Sequence, residues 1–154
     1  MIDLGHAGAL KAVFANQSAS FQADALDALA RKDLDALAGL EKTVPEIAVF
    51  QNAYGDLDTV LDALKGHEML DQACIDISQV RRGLSAEQIS WYCDLGETHG
   101  LNYHTGLVFG IYSLKRDQLL VRGGRYDHVG ESFGRARAAT GFSADLKTLV
   151  RLAN

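Results

Sequence analysis

Proline occurs once in these 154 residues, at Pro45. A chain so poor in proline carries no proline-rich linker to mark a domain boundary. Cysteine occurs only twice, as Cys74 and Cys93, without the spacing of a metal site. Both lie in apolar segments, so buried free thiols are expected. No apolar run approaches the roughly 20 residues that span a bilayer, so no membrane partner is expected. Met1-Ile2-Asp3 opens with an acid and shows neither a basic leader nor an apolar stretch, so no signal peptide is expected and the cytoplasm is the expected location. Basic residues are in deficit too: 15 Lys and Arg face 20 Asp and Glu, a net charge of −5. That balance argues against nucleic acid as the main partner, because phosphate binding needs clustered Lys and Arg. Arg122, Arg125, Arg135 and Arg137 do bunch near the end, and a solvated surface is the plainer reading of them. No internal repeat and no low-complexity tract is visible.

What is present is an ordinary globular composition, 47% apolar, in a chain long enough for one domain with a real core. The first 84 residues read as helical. Leu10, Val13 and Phe14 repeat at helical spacing, as do Phe21, Ala25, Leu26, Leu29 and Ala30. Asp33 suits the cap of a short helix carrying Leu34, Leu37 and Leu40. Thr43-Val44-Pro45-Glu46 has the form of a capping box. A further helix is expected from about Asp56 to Lys65, closed by Gly66. Met69, Leu70, Ala73, Cys74, Ile77 and Val80 form another helical stripe, ended by Arg81, Arg82 and Gly83.

The period then changes from helical to alternating. Ile89, Trp91, Cys93 and Leu95 alternate with Ser90, Tyr92 and Asp94, which predicts a strand with one apolar face. Leu107 to Leu114 is apolar on both faces and reads as a central strand. Gln118 to Arg122 reads as a third strand, ended by Gly123-Gly124. Short connections favour an antiparallel meander of the three. Phe142, Leu146, Leu149 and Val150 mark a closing amphipathic helix. The expected organisation is therefore a mainly helical segment, 1–84, followed by a β-β-β-α segment, 85–154, in an α+β fold.

Chemistry-bearing motifs are few. His99 and His104 lack the ligand density and spacing of a zinc site, so no metal is expected. His6 and His67 read as surface or helix-end residues, and His128 as a turn residue. Ser143 is not in a nucleophile elbow, and Gly123-Gly124-Arg125 is not followed by the Lys and Ser or Thr of a P-loop. Asp94 and Glu97 form an acid pair of the kind usually solvated at strand ends. Gly123 and Gly124, taken alone, read as a tight turn or bulge. Tyr103 and His104 precede one buried strand, however, and Tyr126 follows the next. All three can project polar ring tips into one crevice, as a site for a small polar ligand requires.

Gly100-Leu101-Asn102-Tyr103-His104-Thr105-Gly106-Leu107-Val108-Phe109 resembles the histidine-recognition segment of class II histidyl-tRNA synthetases. Gly123-Gly124-Arg125-Tyr126-Asp127 resembles the next block of that family, and Gly141-Phe142 with the following helix resembles its motif 3. Against the family pattern, His99 replaces an arginine and His104 a tyrosine. Thr148 falls on the ATP-binding arginine of motif 3 and Asp145 on a small glycine. Threonine cannot supply the charge and fork geometry that clamp a phosphate.

These departures, with Ile2-Asp3-Leu4-Gly5-His6-Ala7-Gly8, resemble the synthetase paralogue that serves as regulatory subunit of ATP phosphoribosyltransferase. The resemblance implies part of an antiparallel class II synthetase-like sheet preceded by a helical, insertion-like block. It implies a family subunit about twice this length, of which this chain carries the second half. It further implies a non-catalytic role without cofactor. The implied role is to assemble with and activate the short-form catalytic subunit of ATP phosphoribosyltransferase, to self-associate, and to confer allosteric feedback by histidine. Leu101, Tyr103, His104, Gly124, Arg125 and Tyr126 are the implied histidine-binding residues. A synthetase fragment and a stand-alone histidine-binding module are the alternative readings.

Overall fold

The computed structural model describes residues 1–84, 89–98, 100–101, 103–115, 118–128, 130–131 and 134–153. The elements are β1 (Ile2–His6), α1 (Ala7–Phe14), α2 (Ala19–Arg31), α3 (Leu34–Glu41), α4 (Ile47–Asn52), β2 (Tyr54–Asp56), α5 (Leu57–Ala63), α6 (Asp71–Gly83), β3 (Trp91–Asp94), β4 (Leu107–Ser113), β5 (Gln118–Tyr126), β6 (Ala139–Ala144) and α7 (Leu146–Ala153). A single 3-10 turn, Glu68–Leu70, leads into α6.

The helical segment forms largely where its sequence places it. The Asp33 carboxylate accepts the Ala36 N–H and caps as expected, and Asp56, the expected start of the next helix, accepts from the Thr59 amide and hydroxyl. Gly66 closes the α5 region at φ +91°, a left-handed backbone that suits glycine. The Thr43 capping box does not form. Val44 is buried in the core, and the carbonyls of Val44, Pro45 and Glu46 accept from Ile47, Ala48 and Val49. The backbone itself makes this first turn, and α4 begins at Ile47 without a side-chain cap. The predicted stripe is buried at Leu70, Ala73 and Ile77, with Cys74 and Val80 packed against the core, while Met69, in the 3-10 turn before α6, is exposed.

The sheet has six strands in the order β2-β3-β1-β4-β5-β6. β4, β5 and β6 form an antiparallel meander. The expected β3-β4 pairing is corrected: β1 lies between them, parallel to β3 and antiparallel to β4. The parallel pair is possible because helices α1 to α6 supply the long crossover between its strands. Leu4 of β1 and Cys93 of β3 are both completely buried, and this apolar face carries the helical layer. The first 84 residues thus contribute two strands to the same sheet as residues 91–144. β5 also runs on through Gly123-Gly124 to Tyr126 rather than ending there. A Cβ on Gly123 would strike the Phe109 ring and the Gly141 carbonyl, so the glycine permits close strand packing and makes no turn. β6 was not anticipated. The structure places Phe142, read as part of the closing helix, on this edge strand.

His6 does sit at a helix end, at the junction of β1 and α1, but it is no surface residue: it is only 7% exposed, and its Nε2 lies 3.1 Å from Asp76 Oδ2 of α6. Strand alternation puts it on the helix-covered face with Ile2 and Leu4. His67 does sit at a helix end, before the 3-10 turn. His128 is exposed and lies 2.6 Å from Glu131 through Nδ1.

Candidate functional site

The face of the sheet away from the helices carries a cavity of about 800 Å³. Alternation decides which side chains reach it. On β1 these are Asp3 and Gly5, and on β3 Asp94. On β4 they are Val108, Gly110 and Tyr112, and on β5 Arg122 and Tyr126. Gly141 and Ser143 complete the floor from β6. Glu97, Gly100, Tyr103 and His104 overhang it from the β3–β4 connection.

Glycines lower the floor so that rings can lie against it. A Cβ on Gly110 would stand 2.8 Å from the Tyr112 ring, one on Gly124 2.8 Å from His104 Nδ1, and one on Gly141 2.5 Å from the Tyr126 hydroxyl. Tyr103 packs on Tyr126 with ring centroids 4.9 Å apart, and edge-on against His104 at 5.3 Å. The turn that delivers these rings depends on Gly100, whose φ of +74° is left-handed and whose carbonyl accepts the amides of Tyr103 and His104. Lys11 Nζ donates to the His104 carbonyl at 2.7 Å, and the Thr105 amide donates to the Arg125 carbonyl at 2.9 Å. The connection is therefore tied to both α1 and β5. His104 Nδ1 is buried without a hydrogen-bond partner.

The opposite end of the cavity is acidic. Burial pushes the Asp3 carboxyl up to about 6, and the neighbouring charges of Asp94 and Glu97 add to the rise. Asp94 is raised by burial as well, against the pull of Lys32 and the Gly96 amide. Asp3 Oδ1 has no hydrogen-bond partner. Tyr112 is raised by burial and then by the same acids. A cavity with carboxylates at one end, the Tyr103 and Tyr126 rings at the other and Arg122 on its floor suits a small zwitterionic molecule. Among the described residues no three His, Cys, Asp or Glu side chains gather as a metal site would need.

The structure sorts the six sequence-derived residues. Tyr103, His104 and Tyr126 converge on the cavity, and Gly124 makes room for His104. Leu101 is buried in the hydrophobic core rather than on the cavity wall. Arg125 points to the other face of the sheet. It lines a smaller cavity of about 390 Å³ with Asp76, Gln79 and Thr140, and its Nε donates to Asp127. The reason is strand alternation: Gly124 and Tyr126 face one side, so Arg125 faces the other. His99 lies outside the described residues. Sequence reasoning missed Asp3 and Tyr112, set aside Arg122, Asp94 and Glu97 as solvated, and weighed Ser143 only as a nucleophile.

Thr148 and Asp145 also have a defined place. Asp145 Oδ1 accepts the Thr148 amide at 3.1 Å, and the Thr148 hydroxyl donates to Asp145 Oδ2 at 2.8 Å. Thr148 is 6% exposed, and its hydroxyl also accepts from Gln118 Nε2. Together they close the first turn of α7, and the Thr148 contacts hold the Asp145 carboxyl below its ordinary range. Among the described residues no helix is long and apolar enough to cross a membrane.

Comparison with known proteins places this architecture. Residues 1–149 match the family model described as histidyl-tRNA synthetase. An ATP phosphoribosyltransferase regulatory subunit from Pseudomonas syringae pv. syringae is 40% identical over 98% of this chain and 42% of its own length. The chain thus spans about two-fifths of the curated relatives it matches. Among solved structures, histidyl-tRNA synthetase from Nostoc sp. PCC 7120 aligns with a TM-score of 0.74 at 22% identity, over 99% of this chain and 41% of that one. The ATP phosphoribosyl transferase (HisG:HisZ) complex from Thermotoga maritima aligns with a TM-score of 0.66 at 16% identity, over 94% of this chain and 52% of that one. At those identities the likeness establishes the fold, a class II synthetase-like α+β sheet. With the family model matched along almost its whole length, the chain belongs to the histidyl-tRNA synthetase family.

Proposed function

We propose that this chain is part of a non-catalytic regulatory subunit of ATP phosphoribosyltransferase. In this reading it assembles with the short-form catalytic subunit in the cytoplasm, activates it, self-associates, and takes part in feedback control by histidine. The observation that carries the reading is Thr148. At the position where the synthetase resemblance puts a phosphate-clamping arginine, the side chain is a buried threonine bound to Asp145. Relatives at 35–40% identity that bear the name of the regulatory subunit support the same reading.

Histidine is the proposed ligand of the larger cavity. Its ammonium suits the wall formed by Asp3, Asp94 and Glu97, its carboxylate suits Arg122, and its imidazole suits Tyr103, His104 and Tyr126. Feedback then requires that histidine bind two assembly states with different affinity. The helices between β1 and β3 are the insertion-like layer that backs the sheet. In this reading residues 1–84 supply the insertion-like helical layer together with β1 and β2, and residues 85–154 supply β3 to β6 and α7.

Calorimetry with L-histidine, size-exclusion with the catalytic subunit, and ATP–pyrophosphate exchange test the proposal together. Saturable histidine binding, co-elution and no exchange are expected from the full-length protein. Histidine-dependent exchange would make it a synthetase instead. Histidine binding without co-elution would make it a stand-alone binding module.

A further inference from the structure

We propose that Lys32 is the counter-ion of the cavity's acidic wall, so that the helical layer sets the strength with which the wall holds a cationic ligand group. The proposal rests on the reading of the cavity as a ligand site, and it concerns a residue outside the cavity's lining. Lys32 follows the last turn of α2 and adopts φ 51° and ψ 42°. It is the one non-glycine at positive φ among the described residues. A left-handed helix end normally takes glycine or asparagine, so a lysine here bears a backbone cost that its side chain must offset.

The side chain has a defined task. Lys32 Nζ lies 3.7 Å from Asp94 Oδ2 and 5.0 Å from the centroid of the Tyr54 ring. Tyr54 and Asp94 are direct partners across β2 and β3, so the ammonium sits over one cross-strand pair. The other Asp94 oxygen accepts the Gly96 amide. Asp94 is thus held from two sides, with one edge left toward the cavity.

The charges around this wall come from every strand that meets it. Asp3 faces it from β1, Tyr92 and Asp94 from β3, Glu97 from the turn after β3, Tyr54 from β2, and Tyr112 from β4. Arg122 stands on β5. Of these neighbours Lys32 is the cation that draws down Asp3, Asp94 and Tyr92 alike. Burial pushes both carboxyls toward the protonated form, which offers an ammonium no counter-charge. Lys32 opposes this from the solvent side, where it does not occupy the cavity.

The test compares wild type with Lys32→Met, Lys32→Arg and Lys32→Asn. Two readouts are followed from pH 5.5 to 8.5: the carboxyl carbon-13 shifts of Asp3 and Asp94, and the affinity for L-histidine by calorimetry. In Lys32→Met the carboxyl midpoints rise by about 0.5–1 pH unit, and histidine binds about 3–10-fold more weakly at pH 6 but no more weakly at pH 8.5. Lys32→Arg keeps the wild-type profile. Lys32→Asn suits the left-handed backbone, so its Tm rises while its pH profile follows Lys32→Met. A merely structural lysine would move Tm alone. Unchanged carboxyl midpoints, or tighter histidine binding by Lys32→Met at pH 6, would overturn the proposal. If no variant binds histidine, the ligand reading fails and the carboxyl midpoints alone decide the role of Lys32.

Discussion

The imidazole of His104 lies directly over Gly124: a Cβ at Gly124 would stand 2.8 Å from His104 Nδ1 and 2.8 Å from the Leu107 carbonyl. Gly124 belongs to a central stretch of β5 and His104 to the connection before β4, so the pair joins two sequence blocks 20 residues apart. Gly124→Ala should therefore displace the ring or the β4 backbone. A loss of about 1–3 kcal/mol is expected in urea unfolding, together with weaker histidine binding. An unchanged unfolding midpoint would show that the ring moves away freely.

Asp3 makes stability fall as pH rises. Its carboxyl titrates at about 6 in the folded chain against an ordinary value of 3.8. The native state therefore binds the proton more tightly than the unfolded chain, and stability is lost between those two values on raising the pH. Asp3→Asn should be more stable than wild type at pH 7 and equal to it at pH 3. The shift is worth about 3 kcal/mol at face value, and about 1–2 kcal/mol once contact with water is allowed for. Urea titrations at both pH values check the difference.

The two thiols should react very differently. Cys93 is completely buried on β3, and burial pushes its thiol up to about 12, whereas Cys74 is only partly buried on α6. With a thiol-exchange reagent at pH 8, one thiol should react in the native state, the second only on addition of denaturant. Mass spectrometry should find the early label on Cys74. Early labelling of Cys93 would contradict the packing of β3.

Two isoleucines of one helix test the position of the core. Ile77 has no exposure and Ile75 is 48% exposed. Ile77→Ala should cost about 2–5 kcal/mol and Ile75→Ala less than about 0.5 kcal/mol. Comparable losses would mean that the sheet-facing side of α6 is misplaced.

Thr148→Arg restores the residue type that the synthetase resemblance expects. It also removes the hydroxyl that bonds Asp145 and accepts from Gln118 in a buried first turn. A loss of about 1–3 kcal/mol is expected, with no gain of ATP–pyrophosphate exchange. Gain of exchange would return adenylation chemistry to this chain.

Much of the helical segment was legible because its signals are local. Asp33 and Asp56 cap helices three residues before the amides they satisfy, and Gly66 ends a turn of its own backbone. The Thr43 box is absent because Val44 is buried, a tertiary demand, and the backbone carbonyls of Val44 to Glu46 make the first turn instead. β1 was missed because five residues containing Asp3 and Gly5 carry too little alternation and too little strand propensity. Tyr103, His104 and Tyr126 were found because rings beside glycines can be read from the sequence. Arg125 was grouped with them because the third strand was ended at Arg122, short of Tyr126, which hid the alternation that turns it away.

By itself the sequence determined the composition of the core, the Asp33 and Asp56 helix starts, the ring and glycine blocks and the absence of the motif 3 arginine, because each depends on neighbours within a few positions. Only the tertiary structure decided the rest. Insertion of β1 between β3 and β4 brings Asp3 beside Asp94, which is 91 positions away, and builds the acidic wall. The same packing turns α2 so that Lys32 meets Asp94. These contacts follow from burying Leu4 and Cys93 on one shared face, a long-range demand that no local pattern records.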